Sequence, residues 1–293
     1  MKKLIKYTTI FFMTLFPLKS FGLPPIVAIG DLHGDYSQAL KLLKKAEIID
    51  DQSRWIGGDT ILVQLGDQID RGAGDKQIID LFEHLKNEAP KFGGMVHSLI
   101  GNHEAMNVDG NFKYVFPDKA FYDFEDFSST APKNYVVKYS AYQQGRFHAF
   151  FPGGHYAKIL SNRKAILKLG PYIFVHGGVV PKYAKLGIDQ LNQQISYWMK
   201  GITKRPSWIS DSKGPLWARY YSKKTNSSHC KMLKKSLKIL KAKIMFVAHT
   251  VQRNGINTAC DGRVVRTDTG ISSYYGGKKQ AVRIQNGELS IIN

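Results

Sequence analysis

The chain has 293 residues, of which 43% are hydrophobic, 12% aromatic and 22% charged, enough to bury a sizeable core in one large domain or two small ones and too much for wholesale disorder. Two cysteines, Cys230 and Cys260, exclude a disulfide-stapled scaffold and any cysteine-rich zinc or iron–sulfur site. A formal charge of +19 points towards nucleic acid, a membrane surface or phosphorylated substrates without choosing among them.

Residues 1–22 open with Lys2, Lys3 and Lys6 and continue into an apolar stretch from about Tyr7 to Leu18. Ser20 and Gly22 then place small residues at the −3 and −1 positions of a cleavage site. This is the three-part pattern of a secretory signal peptide, and the apolar run is short of the ~20 residues needed to span a bilayer. Cleavage removes Lys2, Lys3, Lys6 and Lys19 and lowers the charge from +19 to +15. The expectation is an exported protein, periplasmic or secreted, with no membrane span after cleavage. In such a compartment a disulfide could persist, but the sequence does not say whether Cys230 and Cys260 lie close enough to pair.

Beyond Pro24-Pro25, residues 23–293 are expected to form a single domain. Ile26–Gly30 reads as a buried strand and Tyr36–Ala46 as a helix with Leu40, Leu43 and Ala46 on one side. A strand over Ile61–Leu65, a helix over Asp75–Asn87 with Ile78, Ile79, Phe82 and Leu85 facing inward, and a strand over Met95–Ile100 follow. This alternation predicts an α/β fold with a central sheet. From about residue 105 to 170 the periodicity weakens and aromatics crowd together (Phe112, Tyr114, Phe116, Phe121, Tyr122, Phe124, Phe127), as in an insertion covering one end of the sheet. Tyr172–His176 and Ile244–Ala248 return as strands, with helices over Ile188–Lys200 and His229–Lys243 between them. The six lysines of the latter helix read as a solvated face opposite Leu233, Leu237 and Leu240. The end is β-rich: Arg263–Arg266, then Ala281–Gln285 and Glu288–Ile292 joined by Asn286-Gly287, the preferred type I′ hairpin dipeptide.

Ligand-capable residues follow five of the strands: Asp31 and His33 after the first, Asp67, Asp70 and Arg71 after the second, Asn102 and His103 after the third, His176 and His249 at the fourth and fifth. Ligands of open α/β sheets sit at the carboxyl ends of strands, so these clusters are expected to converge. Asp, His and Asn suit Mn, Fe, Zn or Co. Histidines on either side of a shared carboxylate can hold two divalent ions, which clamp a phosphoryl group. Arg71 offers a planar fork for phosphate oxygens. Among the other histidines, His84, His97, His148 and His229 read as structural, and His155 fits either reading.

The set GDLHGD, GDQIDRG, GNHE, VHGG and AHT resembles the phosphoprotein phosphatase branch of the calcineurin-like metallophosphoesterases. GNHEAMN, GPLWAR and RTDTGIS narrow the likeness to the Shewanella-like protein phosphatases over residues 26–275. Ala218 replaces the usual aromatic before the arginine of GPLWAR, and AHT replaces the commoner Gly-His-Thr. The resemblance implies an α/β/β/α sandwich with a helical, aromatic-rich insertion over the site. It implies a first metal on Asp31, His33 and Asp67, and a second on Asp67, Asn102, His176 and His249. It further implies phosphate-binding Arg71 and Arg219, with Asn102 beside them, and His103 as general acid oriented by Asp70.

The expected activity is direct, metal-assisted hydrolysis of phosphomonoesters by hydroxide at the metals, without a phosphoenzyme. The expected partner is a phosphorylated protein or peptide, phosphotyrosine before phosphoserine or phosphothreonine. A nucleotide or dinucleoside polyphosphate hydrolase is the alternative, although those enzymes usually carry GNHD. A non-catalytic, basic nucleic-acid binder is remote, because the interleaved aromatic and basic strand motifs of single-strand binders are lacking and no stable nucleic-acid partner is expected.

Overall fold

A computed structural model of the chain describes residues 22–127, 136 and 138–293. Apart from Gly22, the segment read as an export signal lies outside the described residues. Strand β1 (Ile26–Ile29), helix α1 (Tyr36–Lys45), β2 (Ile61–Gln64), α2 (Asp75–Glu88) and β3 (Met95–Ser98) build the first half. Short helices among the described residues follow: α3 (Asn102–Val108), α4 (Lys119–Tyr122), α5 (Ala141–Phe150) and α6 (His155–Ser161). The second half comprises β4 (Ile166–Leu169), β5 (Tyr172–Val175), α7 (Pro181–Leu186), α8 (Ile188–Met199), α9 (Ser227–Leu240), β6 (Ile244–Val247), β7 (Asn257–Ala259) and β8 (Val264–Arg266). A hairpin of β9 (Ala281–Gln285) and β10 (Glu288–Ile292) ends the chain.

Two five-stranded sheets result, ordered β10-β9-β1-β2-β3 and β4-β5-β6-β8-β7. Strands β1, β2 and β3 are mutually parallel, as are β5, β6 and β8, and antiparallel strands complete each sheet. Strand alternation explains the layering, since successive side chains point to opposite faces. Ile26 and Ala28 of β1 meet Phe174 and Phe246 of the second sheet in a core between the sheets. Val27 and Ile29 point the other way, onto Leu42, Leu43, Ile78, Phe82 and Leu85 of α1 and α2. On the second sheet Ile173, Val175, Met245 and Val247 face outward under α8 and α9. The result is the expected α/β/β/α sandwich, and strands covered on both faces read as unbroken apolar runs.

In α1 the buried stripe is Ala39, Leu42, Leu43 and Ala46, so Leu40, assigned inward from the sequence, lies at its flank. Asp35 caps this helix by accepting from the Gln38 N–H at 3.1 Å. Asn286 and Gly287 have φ of 53° and 84°, the left-handed pair a type I′ turn requires. The range read as an insertion holds α4, α5 and α6 with their aromatics, and also β4, the edge strand of the second sheet. Cys230, in the first turn of α9, is bonded to Cys260, just after β7, with Cα atoms 5.2 Å apart. No helix among the described residues is long and apolar enough to cross a membrane.

Candidate metal centre

The loops that follow β1, β2 and β6 are kinked. His33, Asp67, Asp70, Arg71 and His249 have φ of 46°, 51°, 70°, 68° and 66°. For a residue with a Cβ this left-handed conformation costs roughly 1–2 kcal/mol. The kink lifts the side chain off the sheet face and turns it over the top edge, where both sheets open onto one cleft. Gly101 lets the loop after β3 touch the loop after β2, because a Cβ there would overlap Asp67 Oδ1 and lie 2.9 Å from Glu104 Oε2. Glu104 locks these loops together, accepting from the N–H groups of Gly101, Asp67 and Gln68 at 2.7, 2.9 and 2.7 Å.

The cleft gathers Asp31, His33, Asp67, Asn102, His176 and His249, all of them buried. His176 Nε2 lies 2.9 Å from Asn102 Oδ1, 3.1 Å from His249 Nδ1 and 3.2 Å from Asp67 Oδ2. On the other side of Asp67, His33 Nε2 is 3.9 Å from Asp67 Oδ2 and 3.8 Å from Asp31 Oδ2. The tautomers follow from the partners. His176 Nδ1 faces the Leu65 carbonyl at 3.0 Å and His33 Nδ1 the Ile69 carbonyl at 3.3 Å. A carbonyl can only accept, so Nδ1 carries the proton and Nε2 presents a lone pair to the cleft.

Such a donor set fits cations. Lone pairs of Asn102 Oδ1, His176 Nε2 and Asp67 Oδ2 face one another without protons enough to share. Ligand atoms about 2.0–2.2 Å from one ion are themselves about 3–3.6 Å apart, as these are. Two groups of three, His33–Asp67–His103 and Asp67–His176–His249, keep their ligand atoms within 4.8 Å, with Asp67 common to both. Burial, together with the neighbouring Asp268 and Asp67 carboxylates, pushes Asp31 well above the usual carboxylate range. Burial and His103 push His33 down to about 3, and burial, His176 and Arg219 push His249 well below an ordinary histidine. Burial would raise Asp67 too, but His176, His103 and His33 outweigh it and hold this carboxylate well below its ordinary value. The site therefore crowds carboxylates beside the imidazoles of His33 and His249, whose neutral forms are favoured, an environment that divalent cations complement.

His103 stands at the rim, its ring 4.8 Å from that of His33. Its Nδ1 donates to Asp70 Oδ2 at 2.7 Å and leaves Nε2 towards the cleft, 3.7 Å from Asp67 Oδ2. Burial would lower its pKa, but the carboxylates of Asp67 and Asp70 raise it to about 9. Asp70 Oδ1 in turn accepts from Asn107 Nδ2 at 2.9 Å and Arg146 Nη2 at 3.2 Å. Arg146 also reaches Asp75 Oδ2 at 2.7 Å, Asn107 Oδ1 at 2.8 Å and the Ala120 carbonyl at 2.8 Å.

Arg71 makes no side-chain hydrogen bond among the described residues. Its guanidinium lies 4.6, 5.1 and 5.4 Å from the ring centroids of Tyr114, Tyr274 and Tyr275. Tyr114 also touches His103 at 5.1 Å and Tyr275 touches His33 at 5.2 Å, so the collar joins Arg71 to both sides of the cleft. Arg219 is held by one nitrogen, Nη1, which donates to the His249 carbonyl and Thr250 Oγ1 at 2.7 Å each. Trp217 packs edge-on against His249 at 5.7 Å.

The structure thus brings together all ten residues singled out in the sequence, with Arg219 at the margin. His84, His97, His148, His155 and His229 lie outside both ligand groups. Sequence reasoning missed Asn107, Asp75, Arg146 and Asp268. Asn107 was detectable as the residue one helical turn beyond His103. Asp268, buried against Asp31 and raised to about 6 by that burial, sits in a stretch noticed only for its likeness. Nothing in the sequence marks Arg146.

The family model described as calcineurin-like phosphoesterase matches residues 24–253. Shewanella-like protein phosphatase 2 of Arabidopsis thaliana is 30% identical over 279 residues, covering 84% of this chain and 71% of that protein. Shewanella-like protein phosphatase 1 of Plasmodium berghei is 31% identical over 263 residues, covering 86% and 68%. A cold-active protein-tyrosine phosphatase of a psychrophilic Shewanella superposes with a TM-score of 0.73 at 23% identity over 93% of this chain and 81% of its own, a likeness of fold.

Proposed function

The chain belongs to the calcineurin-like phosphoesterases, beside the Shewanella-like protein phosphatases, and on that premise we propose that it is a metal-dependent protein phosphatase favouring phosphotyrosine. The observation that carries the reading is the Arg71 guanidinium, unspent in hydrogen bonds and held by three tyrosines beside the ligand cluster. A planar fork with every donor available recognises a phosphoryl group. The surrounding rings favour an aryl ester over an alkyl one. The names of the relatives support a phosphoprotein substrate, and those of two solved structures of the same fold support tyrosine.

In this reading Asp31, His33 and Asp67 hold one divalent ion, and Asp67, Asn102, His176 and His249 the other. When bound, the pair supplies Lewis acidity towards the phosphoryl oxygens and lowers the pKa of water near neutrality. Arg71 binds and orients the phosphoryl group from the collar side, and Arg219 from the side of His249. Asn102, whose Oδ1 faces His176, keeps its Nδ2 for a phosphoryl oxygen. His103 delivers the proton of Nε2 to the departing oxygen, while Asp70 holds the opposite ring nitrogen and fixes the tautomer. The signal-like residues 1–22 and the Cys230–Cys260 bridge support export to an oxidising compartment.

Initial rates on matched phosphotyrosine and phosphoserine peptides, after chelation and after return of Mn, Fe, Zn or Co, test the reading. Metal-restored phosphate release, faster on phosphotyrosine and lost in Asp67→Asn, is expected. Failure on both peptides with every metal would refute it. A phenolate leaving group, with a pKa of about 10, needs a proton less than a serine alkoxide does. His103→Ala should therefore slow phosphoserine hydrolysis more than phosphotyrosine hydrolysis, and equal losses in kcat would reject His103 as the acid.

A further inference from the structure

Beside Arg219 a cavity of about 820 Å³ opens to solvent. Its cations are Arg219, Lys223, Lys224 and Arg266, and no aspartate or glutamate among the described residues lines it. We propose that this cavity is a docking subsite for an acidic stretch of the polypeptide that carries the phosphoryl group, an inference that rests on the phosphatase reading and names the flanking sequence its substrate should have.

Three observations carry it. Lys223 and Lys224 are exposed and form no ion pair among the described residues, so their charge is free for a ligand. Arg219 links cavity and metal centre: Nη1 is fixed to His249 and Thr250, while Nε and Nη2 have no partner among the described residues. A chain whose phosphoryl group lies against Arg219 must pass this cavity's mouth or turn away from it. Finally, the wall is built, not loose. Arg266 ties the lysine-bearing segment down through the carbonyls of Tyr221 and Lys223 at 2.7 and 2.8 Å. Ser222 is bonded to Thr250 at 2.8 Å and its carbonyl accepts from Gln252 at 2.8 Å. The opposite wall carries His229, next to the disulfide-bonded Cys230. A prearranged cationic hollow binds carboxylates without first paying to order itself. Its concave shape, with Trp217 and Tyr220 in the lining, suits a few peptide side chains better than the evenly spaced charges of a duplex or a flat lipid surface.

The test uses the metal-loaded protein and three phosphotyrosine peptides alike but for flanking Glu, Gln or Lys residues, with Lys223→Glu/Lys224→Glu alongside. Both lysines are exposed, so the variant is expected to fold. At low salt kcat/KM should be roughly tenfold higher for the Glu peptide than for the Gln peptide, through KM, with the advantage shrinking as ionic strength rises. In the variant that ratio should fall to about one. No preference in the wild type, or one that survives the charge reversal, would overturn the subsite while leaving the phosphatase standing. Failure to hydrolyse any of the three would refute the phosphatase reading itself. Fluorescence anisotropy of the unphosphorylated Glu peptide then judges the cavity alone: binding abolished in the variant upholds an acidic-peptide site, and no binding overturns it. Tighter binding of a single-stranded oligonucleotide or of anionic phosphatidylglycerol vesicles, sensitive to the same variant, would overturn the choice of a peptide.

Discussion

Arg146→Met puts the support of His103 to the test. The arginine side chain has no exposure, nor have those of Asp70 and Asp75, the carboxylates it bridges at 3.2 and 2.7 Å. The rings of Phe124 and Phe150 lie 5.0 and 5.1 Å from its guanidinium, so water cannot take its place without opening the aromatic cluster. Methionine roughly fills the volume but removes the cation that the two buried carboxylates share. Removing one partner of a buried pair costs about 3–5 kcal/mol, a large part of the ~5–15 kcal/mol that holds a typical domain together.

The cost must also depend on pH. Burial already raises Asp75 to about 7 against the pull of Arg146, and without that pull it rises further. A carboxyl with a raised folded pKa makes the folded chain bind its proton more tightly than the unfolded one, so stability falls as pH rises towards the folded value. Below about pH 6 the proton is on Asp75 in both proteins; above about 7 the variant alone retains it, at a growing cost. Urea unfolding of wild type and variant at about pH 5.5 and about pH 8.5 should show a larger gap at the higher pH. Adding Asp75→Asn should recover at least about 1 kcal/mol of the loss at the higher pH. A loss below about 1 kcal/mol, or one independent of both pH and Asp75, would refute the view that Arg146 neutralises this buried pair.

Tyr114→Ala removes the ring nearest the Arg71 guanidinium; a cation–π contact worth about 0.5–2 kcal/mol predicts a roughly twofold to thirtyfold fall in kcat/KM for phosphotyrosine peptides, read from initial rates. The disulfide closes a loop spanning a sequence separation of 30, so Cys230→Ala/Cys260→Ala should lower unfolding free energy by about 3–4 kcal/mol in denaturant titration. Gly101→Ala places a methyl group on Asp67 Oδ1, and calorimetric titration should show metal affinity down by about tenfold to a hundredfold.

The strands and the ligand loops were legible because each is local. An apolar run followed by Gly-Asp or Gly-Asn states both the strand and the turn that ends it, as at Asp31, Asp67 and Asn102, while His176 and His249 directly follow the apolar runs 172–175 and 244–248. Arg146 carries no local sign: a lone arginine between Gly145 and Phe147 becomes a buried counter-ion only once α5 lies over Asp70 and Asp75. The same holds for the Cys230–Cys260 bridge, which depends on where α9 places its first turn relative to the end of β7. Strands β4 and β7 are short and lie at the sheet edge, where half-exposed residues blur the apolar pattern. In α1 two adjacent faces carry apolar residues, and only packing against β1 and β2 decides between Leu40 and Leu42.

The proposed metal ligands divide between the two sheets: positions 31 to 102 come from the first, 176 and 249 from the second. A divalent ion held by them would act as a rivet through the laminate, and its occupancy would measure whether the layers are in register. If it bound the assembled chain alone, free metal at a thousand times its dissociation constant would add about 4 kcal/mol to global stability. Starvation of metal would loosen the seam between β1 and β6 before it melted either helical layer. Amide exchange at the inter-sheet face, compared with and without chelator, would locate that weakness within the fold.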